Sequence, residues 1–192
     1  MHGAGEPAAP VNHPTRPMRI EHRHTDTIPQ TLFAKILALC EAAYEEPLAQ
    51  EFMNVGPGLH LLAFDGDALV AHTMLVDRTL LAGDGTMLRT GYVELVATHP
   101  AHQRKGHATA LLRALVPLLA DYDVGALSPS DPAFYERLGW ELWRGPLSVR
   151  TATGLEASDS EEQAMILRLP RTPEALDLTA PLSVEWRPGD AW

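Results

Sequence analysis

The sequence predicts an α+β fold: a mixed, mostly antiparallel sheet of about seven strands with helices on both faces. Three observations predict it. Alternating apolar runs separated by glycine-containing turns fill the stretch from Leu59 to Thr98, the pattern of an antiparallel meander. From Gly106 the apolar spacing becomes helical, with Leu111, Leu112, Leu115, Leu118 and Leu119 on one stripe. Short strands and helices then alternate to about Leu169, so that helices pack on the faces of the sheet.

Taken in order, Met18 to His24 reads as a first strand. Pro29 suits the first turn of a helix that runs to about Tyr44, with Leu32, Ile36, Leu39 and Ala43 along one stripe. A polar stretch from Glu45 to Gly58 follows, closed by the breaker Gly56-Pro57-Gly58. Leu59 to Phe64 and Leu69 to Leu81 form two strands joined at Asp65-Gly66-Asp67, and Gly83-Asp84-Gly85 turns the chain into a third, Met87 to Thr98. The leucine-striped helix ends near Asp121. Pro117 should kink or shorten it, because an interior proline costs ~3 kcal/mol. Val124 to Ser128 is a short strand, Pro132 to Leu138 a short helix stopped by Gly139, and Trp140 to Trp143 the start of a further strand. Thr151 to Ser160 reads as loop, Gln163 to Leu169 as a strand, and the remainder as an extended tail.

The chain has 192 residues, 45% hydrophobic and 21% charged, which suits one globular domain spanning residues 18–192 with a docked C-terminal tail from about 182. Residues 1–17 carry four prolines and no apolar core, and read as a loose, disordered leader. The single cysteine, Cys40, excludes an internal disulfide and reads as a small buried side chain. No apolar run reaches the roughly 18 residues of a membrane span, so the expected compartment is the cytoplasm. A net charge of −10 argues against a nucleic-acid partner and suits a cationic substrate. Of nine histidines, His22 and His24 share a strand face while His99, His102 and His107 fall near one loop. Neither group has a metal-ligand spacing, and no metal is expected.

The informative segment is Gln103-Arg104-Lys105-Gly106-His107-Ala108, between a predicted strand and a predicted helix. A helix start presents free N–H groups and a partial positive charge, a ready site for a pyrophosphate. Gly106 and Ala108 allow close approach, and Arg104 and Lys105 add attraction. A loop of this pattern directly after Val93 to Pro100 and before a leucine-striped helix resembles the acetyl-CoA loop of the GNAT acetyltransferases. Phe134-Tyr135-Glu136-Arg137-Leu138-Gly139-Trp140 resembles a second GNAT element. The likeness spans about Met18 to Leu169. Gly91-Tyr92-Val93-Glu94, Gly125-Ala126-Leu127-Ser128, Gly145-Pro146 and the ending Trp186-Arg187-Pro188-Gly189-Asp190-Ala191-Trp192 are similar, more narrowly, to the aminoglycoside 2′-N-acetyltransferases.

An amine must lose a proton before attacking a thioester, so the chemistry needs a base, an acid for the thiolate and donors for the oxyanion. Glu94 lies mid-strand in an apolar run, where an unpaired carboxylate is costly. It is either the general base, direct or through a water, or half of a structural ion pair with an arginine. The resemblance implies Tyr135 as the acid, unless it merely packs on Leu138, and Ser128 as a second group near the thiolate. It also implies the Val96 N–H as the oxyanion donor, with acetyl-CoA held by Val96, Ala97, Thr98, Gln103, Arg104, Lys105, Gly106, His107, Ala108 and Thr109. Family positions for an aminoglycoside fall on Glu46, Glu51, Glu94, Glu162, Asp190 and the C-terminal Trp192. Glu46, Glu51 and Glu162 stand where the family has mainly Asp, and Leu95 replaces a family glycine beside the base. The implied function is transfer of acetyl from acetyl-CoA to an amine of a cationic small molecule, an antibiotic-resistance type of activity, with a homodimer plausible for the family. A GNAT enzyme for another amine (polyamine, amino-acid derivative or protein) and a non-catalytic CoA-binding module are the alternatives.

Overall fold

The computed structural model describes residues 18–192; the leader assigned to residues 1–17 lies outside the described residues. The elements are β1 (Arg19–His24), α1 (Gln30–Tyr44), α2 (Ala49–Val55), β2 (Leu59–Asp65), β3 (Ala68–Ala82), β4 (Met87–Thr98), α3 (His107–Leu115), β5 (Val124–Leu127), α4 (Pro132–Glu136), β6 (Glu141–Leu142), β7 (Leu147–Thr151), β8 (Gly154–Ala157), β9 (Met165–Arg168) and β10 (Leu182–Glu185). All ten strands join one mixed sheet, in the order β6-β9-β5-β4-β3-β10-β7-β8, with β1 and β2 branching from β3. β2, β3 and β4 form the antiparallel meander. The parallel pairings are β4 with β5 and β7 with β10.

Alternation along the strands sends successive residues into two cores. Leu62 and Phe64 of β2 pack with Ile36, Leu39 and Cys40 of α1 and Phe52 of α2 on one face. Leu61 and Ala63 pack with Leu111, Leu112, Leu115 and Leu119 on the other, beside Tyr135 and Trp140. Each fully buried leucine contributes about 1.5–3 kcal/mol, so the stripe read from the sequence is what fastens α3 to the sheet. Pro117 acts as predicted: α3 stops at Leu115 and a 3-10 turn covers Val116–Leu119 with the proline in its first positions. Among the described residues no helix is long and apolar enough to cross a membrane.

Four readings need correction. Pro29 caps α1 from outside, with extended backbone, instead of occupying its first turn. The polar stretch after Tyr44 contains α2, whose single buried residue, Phe52, gives too weak an apolar stripe to signal a helix. Within Thr151 to Ser160, assigned to loop, Gly154–Ala157 pairs antiparallel with β7 as an edge strand, and its exposed residues carry no apolar alternation. The tail is not simply extended: Leu182–Glu185 inserts between the end of β3 and β7.

Candidate active site

The site forms where β4 breaks register with β3. His72 pairs with Ala97 and Met74 with Glu94, so Thr73 alone faces both Leu95 and Val96. That extra residue is a β-bulge. Leu95 takes φ 51°, the left-handed region, at a cost of roughly 1–2 kcal/mol for a residue with a side chain. Leu95 and Ala97 consequently share the α1–α2 face with Tyr92, while Val96 turns to the α3–α4 face. Three side chains take the bulge's successive carbonyls. Thr73 Oγ1 donates to Glu94 O at 3.1 Å, His72 Nδ1 lies 3.0 Å from Leu95 O, and the Tyr44 hydroxyl donates to Val96 O at 3.4 Å.

Glu94 opens into a cleft of about 470 Å³ whose wall also includes Glu46, Glu51, Val96, Ser128, Tyr135, Asp190 and Trp192. Its side chain is 12% exposed and accepts a 2.6 Å hydrogen bond from Arg187 Nη1, itself 9% exposed. Burial raises the Glu94 carboxyl above the ordinary glutamate value, and the Arg187 charge and hydrogen bond oppose that rise without cancelling it. Both alternatives for Glu94 therefore meet at one carboxylate: it is paired with an arginine and it faces a cleft. Sequence reasoning missed Arg187. It stands inside the quoted tail motif, but 93 residues separate it from its partner and no local pattern joins them.

The tail reaches the cleft because it docks on α2. Gly189 has φ 73°, and a Cβ there would strike the Asn54 side chain and crowd Glu51. Glycine thus serves two purposes at this one position, the left-handed turn and the close approach. Arg187 Nε donates to Asp190 O, and Trp192, 4% exposed, donates from Nε1 to Ser158 Oγ at 2.7 Å. Five of the six candidate acceptor residues line the cleft, Glu46, Glu51, Glu94, Asp190 and Trp192. Glu162 is not among its walls; burial and then the neighbouring Asp190 charge raise its carboxyl.

A second hollow of about 420 Å³ is lined by Thr98, Gln103, Arg104, Gly106, His107, Ala108 and Thr109, closed by Phe134, Arg137 and Leu138. Gly106 caps α3 at φ 83° with open space where a Cβ would stand. The first amides of a nine-residue helix therefore start beside a concave surface, which fits a pyrophosphate. Ala97 and Lys105 are not part of that lining: Ala97 is buried, and Lys105 Nζ donates to Ala101 O at 3.2 Å. The two hollows adjoin. Val96 lines the first and Thr98 the second, and α4 gives Tyr135 to the first and Phe134 to the second. Tyr135 is buried, and burial, with the Asp131 charge, pushes its hydroxyl up to about 12. It keeps its proton through neutral pH, the form from which an acid starts. Cys40 is buried on the inner face of α1, its thiol also pushed up to about 12 chiefly by burial, so it stays protonated at neutral pH. No group of three or more metal-ligating side chains occurs among the described residues.

Residues 25–143 match the family described as Acetyltransferase (GNAT) domain. The aminoglycoside 2′-N-acetyltransferase of Mycolicibacterium fortuitum is 39% identical over 141 residues, 70% of this chain and 71% of that protein. Among solved structures, Escherichia coli ElaA is similar at a TM-score of 0.55 and 14% identity, covering 79% of this chain and 99% of that one. Eis1 of Mycobacterium abscessus is similar at a TM-score of 0.56 and 19% identity, covering 68% and 33%. The chain spans about a third of the length of several structures it matches, and these likenesses bear on the fold alone. A family match over more than half the chain, a relative identical at over a third of the aligned residues, and a bulged strand beside a helix-capped groove lead to one assignment: this chain is an acyltransferase enzyme of the GNAT acetyltransferase family.

Proposed function

We propose that the chain transfers acetyl from acetyl-CoA directly to an amino group of a cationic small molecule, an aminoglycoside 2′-amine being the acceptor that its relative favours. The observation that carries this reading is the buried Glu94 carboxylate in a cleft walled by Glu46, Glu51 and Asp190. Several carboxylates around one base suit an acceptor bearing several ammonium groups, because each desolvated amine needs a charged partner.

In this reading the amides opening α3 at Gly106, with Arg104 and Gln103, hold the diphosphate, and the pantetheine arm follows Val96 to Thr98 toward the cleft. Glu94, its carboxyl raised by burial, takes the proton from the acceptor ammonium directly or through a water. The freed amine attacks the thioester carbonyl while the Val96 N–H donates to the developing oxyanion. Tyr135 gives its proton to the departing thiolate, with Ser128 at the same rim as a second donor, and is reprotonated by the second proton that the acetylated nitrogen sheds. No covalent acyl-enzyme is required.

One observation supports another amine, such as a polyamine or an amino-acid derivative, as the acceptor. Leu95 lines the cleft beside the base, and its side chain takes space that a glycine would leave to a bulky sugar. Thiol release from acetyl-CoA with gentamicin, kanamycin, tobramycin, spermidine and amino acids separates the two. Turnover with aminoglycosides is the expected result; background rates on all three alongside turnover of spermidine or amino acids would overturn that acceptor. Binding of acetyl-CoA with no turnover of any amine would overturn the catalytic reading.

A further inference from the structure

Behind the bulge runs a buried polar chain that the chemistry above does not use. His72 Nδ1 lies 3.0 Å from Leu95 O, His72 Nε2 lies 2.9 Å from His60 Nδ1, and His60 Nε2 lies 3.0 Å from Thr25 Oγ1. Both rings are almost fully buried. Burial lowers His60 to about 4 and His72 to about 3, so both are neutral at physiological pH.

The far end fixes every proton. A carbonyl only accepts, so His72 carries its proton on Nδ1 and accepts at Nε2. His60 must then donate from Nδ1 and accept at Nε2, which the Thr25 hydroxyl supplies. Gly58 O, also 3.0 Å from that hydroxyl, is already satisfied by the Thr25 backbone N–H at 3.0 Å. The Gly58 N–H in turn donates to Thr25 Oγ1 at 2.9 Å. Each hydrogen-bonding group of the chain finds a partner with both rings neutral. Cys40 Sγ sits 3.4 Å from His72 Nδ1, and Phe52 of α2 stacks near-parallel on His60 with ring centroids 6.4 Å apart. Since the chain ends on a carbonyl oxygen, it cannot conduct a proton to Glu94. Its effect is mechanical.

We propose that His72, set in a single tautomer by His60 and Thr25, is a positioning residue for acetyl transfer: it pins the Leu95 carbonyl and so fixes the Val96 amide relative to the Glu94 carboxylate at the cleft that both residues line. Of the three side chains that hold the bulge, His72 grips the residue in the left-handed conformation, the one with the least intrinsic preference for its shape. The catalytic half of the inference rests on the reading of the Val96 N–H as the oxyanion donor.

The test compares His72→Leu with His72→Asn, whose amide N–H falls near the place of Nδ1–H. A displacement of about 1 Å in a reacting geometry costs on the order of 100-fold in rate. His72→Leu is therefore expected to lose about that factor in kcat, with KM for acetyl-CoA and for the acceptor little changed. His72→Asn should recover at least ~10-fold of the loss despite comparable destabilisation. Equal kcat in the two variants, or kcat that simply follows Tm, overturns the proposal. Amide hydrogen exchange at Leu95–Val96 separates its halves. Exchange that stays at the wild-type rate in His72→Leu refutes the positioning itself. Faster exchange with unchanged kcat refutes the use of the Val96 amide. Should His72→Leu not fold, nitrogen NMR of the unmodified protein decides, since a proton on His72 Nε2 instead of Nδ1 overturns the inference.

Discussion

Replacing Arg187 by methionine removes a charge while keeping most of the side-chain volume. The bond lost is a 2.6 Å contact between two side chains that are 9% and 12% exposed, so solvent screening is weak. Breaking such a pair from one side strands the other charge, and the usual cost is about 3–5 kcal/mol. For a chain of this size each kcal/mol moves Tm by about 2–4 °C, so a fall of roughly 6–20 °C is expected at pH 8. The pH dependence distinguishes this cause from a general loosening of the tail. In the wild type, burial already holds the Glu94 carboxyl above its ordinary value against the opposition of Arg187. Without the arginine the rise is unopposed, and the folded state takes up a proton at a higher pH than the unfolded chain does. A carboxyl raised in the folded state costs stability above its folded pKa, and that cost fades as pH falls toward the unfolded value. The Tm deficit of Arg187→Met should thus be widest at pH 8 and narrow toward pH 5. In the same variant the acidic limb of kcat/KM should move to higher pH. Thermal unfolding followed by circular dichroism from pH 5 to pH 8 reads the effect. A deficit under 2 °C, or one constant across that range, would refute the electrostatic account.

Other perturbations address the remaining parts of the site. Glu94→Gln should lower kcat by about 100-fold or more, the usual span for a general base, and should abolish the acidic limb; an unchanged profile would return Glu94 to a structural role. Tyr135→Phe should lower kcat on the order of 100-fold with Tm little affected, and loss of stability in proportion to activity would mean that Tyr135 only packs. Gly106→Val forces a branched side chain into the left-handed region at a cost of roughly 1–2 kcal/mol or more, and should raise KM for acetyl-CoA while leaving that of the acceptor alone. Deleting Gly189 to Trp192 should raise the acceptor KM far more than that of acetyl-CoA; equal effects would contradict the placement of the tail at the acceptor cleft.

What the sequence determined by itself is what short-range rules write. The leucine stripe of α3, the proline stop after Leu115, the glycine turns of the meander and the glycine cap of α3 each depend on residues within a turn or two of one another. That Tyr135 and Glu94 are candidates for one site was legible because their motifs are contiguous, and both line the cleft. Tertiary structure alone decided the rest. The bulge at Leu95 is a property of register between β3 and β4, and register leaves no mark on either strand when both faces are buried and the apolar alternation is lost. The insertion of β10 beside β3, the docking of Gly189 on α2, the Arg187–Glu94 pair and the Thr25–His60–His72–Leu95 chain all join residues distant in sequence. A buried charge or imidazole needs a partner, but the sequence states only the need; which residue meets it follows from how the sheet and its tail close around the cleft.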